Sequence, residues 1–386
     1  MEVKIVLGLL FGDEGKGNTV QWLCKKALEE GKRPCVVRFS GGPQAGHTVR
    51  HNGITHVCSS YGSGVLLGVP TIYIGGLIDP LCIWNEKKSL EEKGVKVPPI
   101  YIGGEIPLIT PYDVADQLEW SKDHPNRTCG KGVMSAVLRQ KASREYAYAG
   151  AADLYLKASI GSRLNQIREF YAEKGITADK KVVKDWIDAG LSLRKDFSRY
   201  YYLEDFDVLI FEGTQGLLLD SEHGFYPYVT STKVGLNGIP EEYLKGAEVY
   251  LITRTYLTRH GEMGLLERQW FEGREKEVPA DKLETNVFNE HQGEFLTARY
   301  HPELYRYAVQ RHCLDNMQKR YNLKMNLVVT HTDVDYSEAG VCFPKGDCSF
   351  FINSMSKVLK EFLVLQNIYT SDNPDSNFEL YDTRIN

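Results

Sequence analysis

The stretch VLGLLFGDEGKGNTVQW at residues 6–22 sets Gly12, Gly15 and Gly17 around Lys16, with Asp13 and Glu14 between them. A glycine-rich turn after a strand presents backbone N–H groups at a helix start, and these, with a lysine, hold phosphate. Two carboxylates in the same turn would repel that phosphate. The conflict disappears if a divalent cation sits between carboxylate and phosphate, or if one carboxylate takes a proton during a reaction. The turn is not a complete Walker sequence, because Leu10 stands where the first glycine of GxxxxGK[ST] belongs and Asn18 follows Gly17. That argues against a generic ATPase and leaves a phosphate cradle with a carboxylate beside it.

Two more glycine clusters carry polar groups. FSGGPQAGHTV holds His47. A lone histidine is more often a satisfied structural residue than a catalyst, but two successive strand ends in an open α/β sheet can converge on one crevice. Asp13 and His47 would then serve as base and acid, one taking a proton and the other polarising an oxygen. In IFEGTQGLLLDSEHGFYPYVTSTK, Gly213, Gly216 and Gly224 punctuate an apolar strand, while Thr214, Gln215, Thr230, Ser231 and Thr232 supply uncharged donors for a phosphate or a base edge. The structural alternative is a tight turn with a Ser/Thr helix cap.

The elements that must position these groups are legible. Residues 3–10 read as a buried parallel strand, NTVQWLCKKALEEGK as a helix stopped at Gly31, and RPCVVRF as the next strand of a βαβ unit. Further short apolar runs at TIYIGG, DVLIFEG, VYLITR and MNLVVTHTD predict one large α/β domain over residues 1–386 around a mostly parallel sheet. Residues 115–205 are helical in character and charged, as expected of an insertion; residues 268–295 have no period and read as a long loop; the polar tail after residue 369 reads as loosely held.

With 386 residues the chain needs no disulfide or metal to fold. Its formal charge of -5 offers no broad field for a nucleic-acid backbone. Its cysteines form no CxxC pair, and scattered thiols without a signal peptide fit a reducing cytoplasm, that of the host if the protein is viral. The opening MEVKIVLGLLFG is too short for a membrane span. A metabolite-sensing protein with a dead site would have lost Asp13, Lys16 or His47, and all three are present.

FGDEGKG, AGHT, EGTQG, YPYVTS and TRTYLTRHGEMG occur in the order found in the adenylosuccinate synthetase family, which the chain resembles over most of its length. The resemblance implies a single P-loop-NTPase-like α/β domain and a magnesium-dependent homodimer. It also implies transfer of a triphosphate's γ-phosphoryl group to O6 of a 6-oxopurine nucleotide, followed by displacement by L-aspartate at C6. By resemblance Asp13 is the base at N1, His47 the acid at O6 and Lys16 the phosphate-binding cation, with Mg²⁺ at Asp13 and the Gly46 carbonyl. The donor nucleotide is expected at Gly12, Glu14, Gly15, Lys16, Gly17, Asn18, Gly46, His47, Thr48, His331 and Asp333. The purine monophosphate is expected at Asp13, Gln44, Thr128, Cys129, Gln215 and Thr230, and aspartate at Thr297 and Arg299.

The departures from the family pattern concern nucleotide choice. The compact arginine cluster of the aspartate loop is absent from NEHQGEFLTARYHPELYRYA, where Arg299 is the nearest arginine. His331 replaces the usual lysine two residues before Asp333, which weakens the case for GTP and admits ATP. Val133, Met134 and Ser135 replace a small, glycine- and proline-containing stretch, as in a virus-encoded branch that joins aspartate to dGMP with ATP or dATP, although the chain keeps Asp13 where many members of that branch have serine. The expected substrates are therefore dGMP with ATP or dATP, or in the alternative IMP with GTP.

Overall fold

The apolar run near the N-terminus is buried on both faces, with Ile5, Val6 and Leu7 all fully buried, which is the condition for a central parallel strand. The computed structural model describes residues 1–124, 128–142, 148–197, 202–272, 293–334, 348–375 and 377–381. Its strands are β1 (Glu2–Gly8), β2 (Pro34–Arg38), β3 (His47–His51), β4 (Ile54–Cys58), β5 (Thr71–Tyr73), β6 (Ile100–Ile102), β7 (Val208–Gly216), β8 (Glu248–Arg254), β9 (Tyr256–His260), β10 (Phe295–Arg299), β11 (Lys324–Thr330), β12 (Leu365–Ser371) and β13 (Glu379–Leu380). Nine of them form one sheet in the order β13-β12-β11-β8-β1-β7-β2-β5-β6, while β9 pairs with β10 and β3 with β4 as separate ribbons. Every pairing in the large sheet is parallel except that of β13 with β12.

The helices are α1 (Lys16–Glu29), α2 (Pro80–Glu92), α3 (Pro111–Asp123), α4 (Val133–Ala142), α5 (Lys157–Ala172), α6 (Lys180–Phe197), α7 (Leu265–Phe271), α8 (Pro302–Arg311), α9 (Leu314–Tyr321) and α10 (Ser349–Lys360). Helix α1 stops just before Gly31, whose φ of 73° is the left-handed conformation that ends a helix. Strands β1 and β2 flank α1 as expected, but they are not neighbours: β7 lies between them and pairs with both. That insertion brings the EGTQG segment to the centre of the sheet, beside the glycine-rich turn.

Helices α3 to α6 fall between β6 and β7. A buried ion pair ties three of them together: Arg139 on α4 donates to both carboxylate oxygens of Asp113 on α3, at 2.7 and 2.9 Å, and the Tyr171 hydroxyl on α5 donates to the same carboxylate at 2.7 Å. Trp186 on α6 donates to the Ile109 carbonyl at 3.0 Å. Two expectations are corrected. The loop read at 268–295 begins inside a helix, α7, and ends in β10, its residues 273–292 lying outside the described residues. The polar tail is not wholly loose, because Glu379 and Leu380 pair with Thr370 and Tyr369 while Phe378 packs on Trp22 at 4.9 Å between ring centroids. No helix among the described residues is long and apolar enough to cross a membrane.

Candidate active site

The turn between β1 and α1 is wound by left-handed residues: Gly12 has φ 98°, Asp13 55° and Gly15 92°. Aspartate is one of the few side chains that accept this region. Three neighbouring segments hold the carbonyl oxygens of the turn. Thr258 Oγ1 donates to Gly12 O at 3.0 Å, Arg254 Nε donates to Asp13 O, and Thr330 Oγ1 donates to Glu14 O at 2.9 Å. With those carbonyls engaged, the first N–H groups of α1, which have no partner within the helix, offer donors of the kind that suit an anion.

The two carboxylates of the turn have separate environments. Glu14 is turned inward: the Leu10 N–H donates to Oε1 at 2.6 Å, and Oε2 lies 4.0 Å from the Lys16 ammonium without a hydrogen bond. Burial pushes its carboxyl up to about 7, against the pull of Lys16 and the Leu10 N–H. Asp13 instead lies at the cavity, its Oδ2 3.2 Å from His260 Nε2. Burial would raise its carboxyl, but the hydrogen bond and charge of His260, with Arg254 and Lys16, outweigh burial and hold it below the ordinary value. The turn thus combines an inward-facing acid that burial favours in the neutral form with an ionised carboxylate facing the cavity.

His47 opens β3, a strand outside the main sheet, so it reaches the crevice from a hairpin and not from the end of β2. Its Nδ1 is 2.7 Å from Glu212 Oε1 and its Nε2 3.3 Å from the Thr214 carbonyl. Both neighbours are acceptors. Glu212 is fully buried on β7; it also accepts from the Ser63 hydroxyl and from Ser63 N–H at 3.2 Å, and Arg38 Nη1 lies 3.6 Å away. Burial alone would raise its carboxyl, but His47, Arg38 and Ser63 bring it down to about 2. Glycine makes the convergence possible: a Cβ on Gly17 would stand 2.8 Å from His47 Cβ, and one on Gly41 2.7 Å from Thr214 Oγ1.

A cavity of about 470 Å³ joins these parts. It is lined by Gly12, Asp13, Glu14, Gly15, Lys16, Gly17 and Asn18 from the first turn, and by Gln44, Gly46, His47 and Thr48 from the second cluster. Gln215, His331 and Asp333 complete the set of expected residues on its wall. Five others are not on it. Thr128 accepts from the Gln117 amide and from Gly130 N–H, beside Cys129, whose thiol burial pushes up. Thr230 N–H donates to the carbonyl of Leu219, itself a lining residue, at 2.8 Å. Thr297 and Arg299 pair across the β9–β10 ribbon with Thr258 and Tyr256.

His331, at the end of β11, has φ 58°, and its Nδ1 lies 2.9 Å from Thr330 Oγ1. Burial and the Arg254 charge drive its pKa well below the ordinary value, so the ring is neutral. Glu212, Arg50, Arg254, Arg259 and His260 had no assigned role from sequence, yet each lines the cavity or holds a group that does. A glutamate inside the otherwise apolar run VLIFEG was a usable signal for Glu212; the others lay in motifs whose spacing says nothing about which side chains meet.

A family profile described as adenylosuccinate synthetase matches residues 5–276, from β1 to just past α7. The adenylosuccinate synthetase of Psychrobacter cryohalolentis is 34% identical over 288 residues, which cover 67% of this chain and 63% of that protein. That of Vibrio vulnificus is 31% identical over 302 residues, 72% of this chain and 66% of its own. The match therefore spans just under two thirds of these relatives. Among solved structures, fully ligated adenylosuccinate synthetase from Plasmodium falciparum aligns with a TM-score of 0.70 at 18% identity, over 99% of this chain and 100% of that one. Succinoaminodeoxyadenylate synthetase of cyanophage S-2L, bound to dGMP and dATP, aligns with a TM-score of 0.63 at 15% identity, over 100% and 96%. At such identities the structural likeness shows the fold, and the sequence match shows more: the chain belongs to the adenylosuccinate synthetase family.

Proposed function

We propose that this chain is a ligase that joins L-aspartate to C6 of dGMP through a 6-phosphoryl intermediate, with ATP or dATP as phosphate donor. The observation that carries the ligase chemistry is the cavity itself, where an ionised Asp13 and a glutamate-backed His47 flank one phosphate-binding turn. A lactam oxygen is a poor leaving group and phosphate a good one, so a triphosphate solves the chemical problem. Asp13 takes the N1 proton, which moves electron density onto O6. O6 attacks the γ-phosphorus and the diphosphate leaves, with Lys16 and the N–H groups of α1 meeting the charge in flight and His47 donating to the oxygen. The aspartate amine then attacks C6, and phosphate departs with the C6–O bond electrons.

One ionised carboxylate among oxygen donors in a phosphate-binding cavity is a donor set that suits Mg²⁺, which completes its shell with waters and phosphate oxygens. Asp13 and the Gly46 carbonyl would hold it, and it would screen the phosphate charge. A homodimer, as the family resemblance implies, is part of this proposal.

For nucleotide choice, the support is the neutral His331 at the position expected to carry a lysine, together with a fold neighbour bound to dGMP and dATP. The second reading, IMP with GTP, is favoured by relatives described as adenylosuccinate synthetases. The test crosses IMP, GMP or dGMP with ATP, dATP or GTP, in the presence of Mg²⁺ and L-aspartate, with products identified by mass. Preferred turnover of dGMP with an adenine nucleotide supports the proposal; preferred turnover of IMP with GTP replaces it with the second reading, and no coupling of aspartate to any purine defeats both.

A further inference from the structure

The basic side chains of the cavity differ in what already holds them. Lys16 lies against Glu14. Arg254 donates to the Asp13 carbonyl and to the Tyr256 hydroxyl, the latter at 2.7 Å. Arg259 donates to Glu267 at 3.3 Å and to the Tyr228 carbonyl at 3.0 Å. Arg50 lines the same cavity, yet its buried Nε has no hydrogen-bond partner, and its guanidinium forms no ion pair with any described residue. A buried donor left unmatched is destabilising, so an arginine in this state on a cavity wall points to a ligand oxygen.

Its place on the strand says which part of a ligand it meets. Along β3 side chains alternate: Val49 is buried in the core, whereas Thr48 and Arg50 share the other face and both line the cavity. Strand β3 runs close beside the start of α1, close enough that a Cβ on Gly17 would lie 3.4 Å from the Thr48 carbonyl. With the transferred phosphoryl group between Lys16 and His47, Arg50 lies two residues beyond Thr48, about 7 Å further along the wall. Asn18, which donates to the Asn373 carbonyl at 3.3 Å, lines the cavity as well, and so does Pro374. A planar fork of donors suits phosphate oxygens better than a point charge does.

We infer that Arg50 binds the non-transferred phosphates of the donor nucleotide and so sets the affinity for the triphosphate. The assignment rests on the proposed function only in that the cavity takes a nucleoside triphosphate.

The experiment measures ADP and adenosine binding to the full chain by calorimetry with Mg²⁺, for the wild type, Arg50→Met and Arg50→Lys, and the Michaelis constants of donor and purine monophosphate for the same proteins. The expected result is at least a tenfold loss of ADP affinity in Arg50→Met with adenosine affinity unchanged. A raised donor KM beside an unchanged monophosphate KM, and partial recovery in Arg50→Lys, complete it. Unchanged ADP affinity overturns the inference, and so does an equal loss for adenosine, which would make Arg50 a platform for the base. If Arg50→Met does not fold, Arg50→Lys decides alone, because replacing the fork by a single ammonium must still weaken ADP more than adenosine. Tight ADP binding by a wild type that couples no aspartate defeats the ligase reading while leaving the Arg50 assignment intact.

Discussion

His47 and Glu212 are 165 positions apart in the chain and meet at 2.7 Å through Nδ1 and Oε1, both nearly or fully out of solvent. The carboxylate fixes one ring nitrogen, and the Thr214 carbonyl, two residues further along the same strand, faces the other. Ring orientation is therefore set by β7, the strand that separates β1 from β2. If His47 is the proposed acid, the buried carboxylate orients it without reacting itself.

Replacing Glu212 with Gln should therefore reduce kcat by at least about tenfold, while donor and monophosphate KM values change much less; steady-state kinetics check it, and parallel losses in both would make Glu212 merely structural. The same carboxylate has a pH signature. Its folded pKa, about 2, lies below the ordinary 4.5, so its stabilisation is complete above pH 4.5 and is lost as pH falls toward 2. It amounts to about 3 kcal/mol. Urea unfolding of the wild type should weaken across that acid window, and Glu212→Gln should be less stable at neutral pH with a flatter acid limb.

Asp13→Asn tests the proposed base with little backbone disturbance, because asparagine tolerates the φ of 55° that position 13 requires. Turnover should fall on the order of 10²–10⁴-fold, with the melting temperature near that of the wild type. The carboxyl is held below its ordinary value by His260, Arg254 and Lys16, so the wild-type rate should show no acidic limb from this group near neutrality. Near-normal turnover of the variant would remove Asp13 from the reaction.

Stability away from the cavity depends on Asp113. Its carboxylate takes two bonds from Arg139 and one from Tyr171, and all three groups are buried. Asp113→Ala leaves a guanidinium uncompensated in the interior and should cost about 3–5 kcal/mol, read as a fall in the urea midpoint. Changing Asp113 and Arg139 together to apolar residues should cost less than the single change, since no buried charge is then stranded.

Much of this architecture was legible from local pattern. The buried runs that became β1, β7, β8 and β11 are continuous apolar stretches, the mark of strands covered on both faces, and the left-handed glycines of the first turn mark the bend they make. What pattern could not supply was adjacency. Nothing in the spacing says that β7 lies between β1 and β2, and without that fact Glu212 cannot be paired with His47. The same holds for His260: its motif was visible, but its contact with Asp13 depends on β9 folding back against the turn. Arg50 could be found only by asking which cavity cation forms no ion pair among the described residues and keeps a buried Nε unmatched. Gln215, next to the last residue of β7, stands on the cavity wall, whereas Thr128, Thr297 and Arg299 lie on a loop and a ribbon whose reach the sequence does not state.

His331 is the position at which donor choice is most open to experiment. It is buried at a φ of 58°, and the Arg254 charge beside it adds to burial in keeping it neutral. A lysine there would bring a second cation next to Arg254 and a long side chain into a left-handed backbone, so His331→Lys should lower the melting temperature of the free protein. A triphosphate in the cavity would offset the added charge, and ligand should therefore restore more of the lost melting temperature than it adds to the wild type. If position 331 also reads the donor base, the ratio of GTP to ATP turnover should rise in the variant. His331→Asn is the control: asparagine tolerates the same backbone and adds no charge, so it should leave both the melting temperature and the ratio close to the wild type. Equal ratios in all three proteins, with only the lysine variant destabilised, would mean that residue 331 shapes the turn and that the choice of base lies elsewhere on the wall, with Asp333 the next residue to replace.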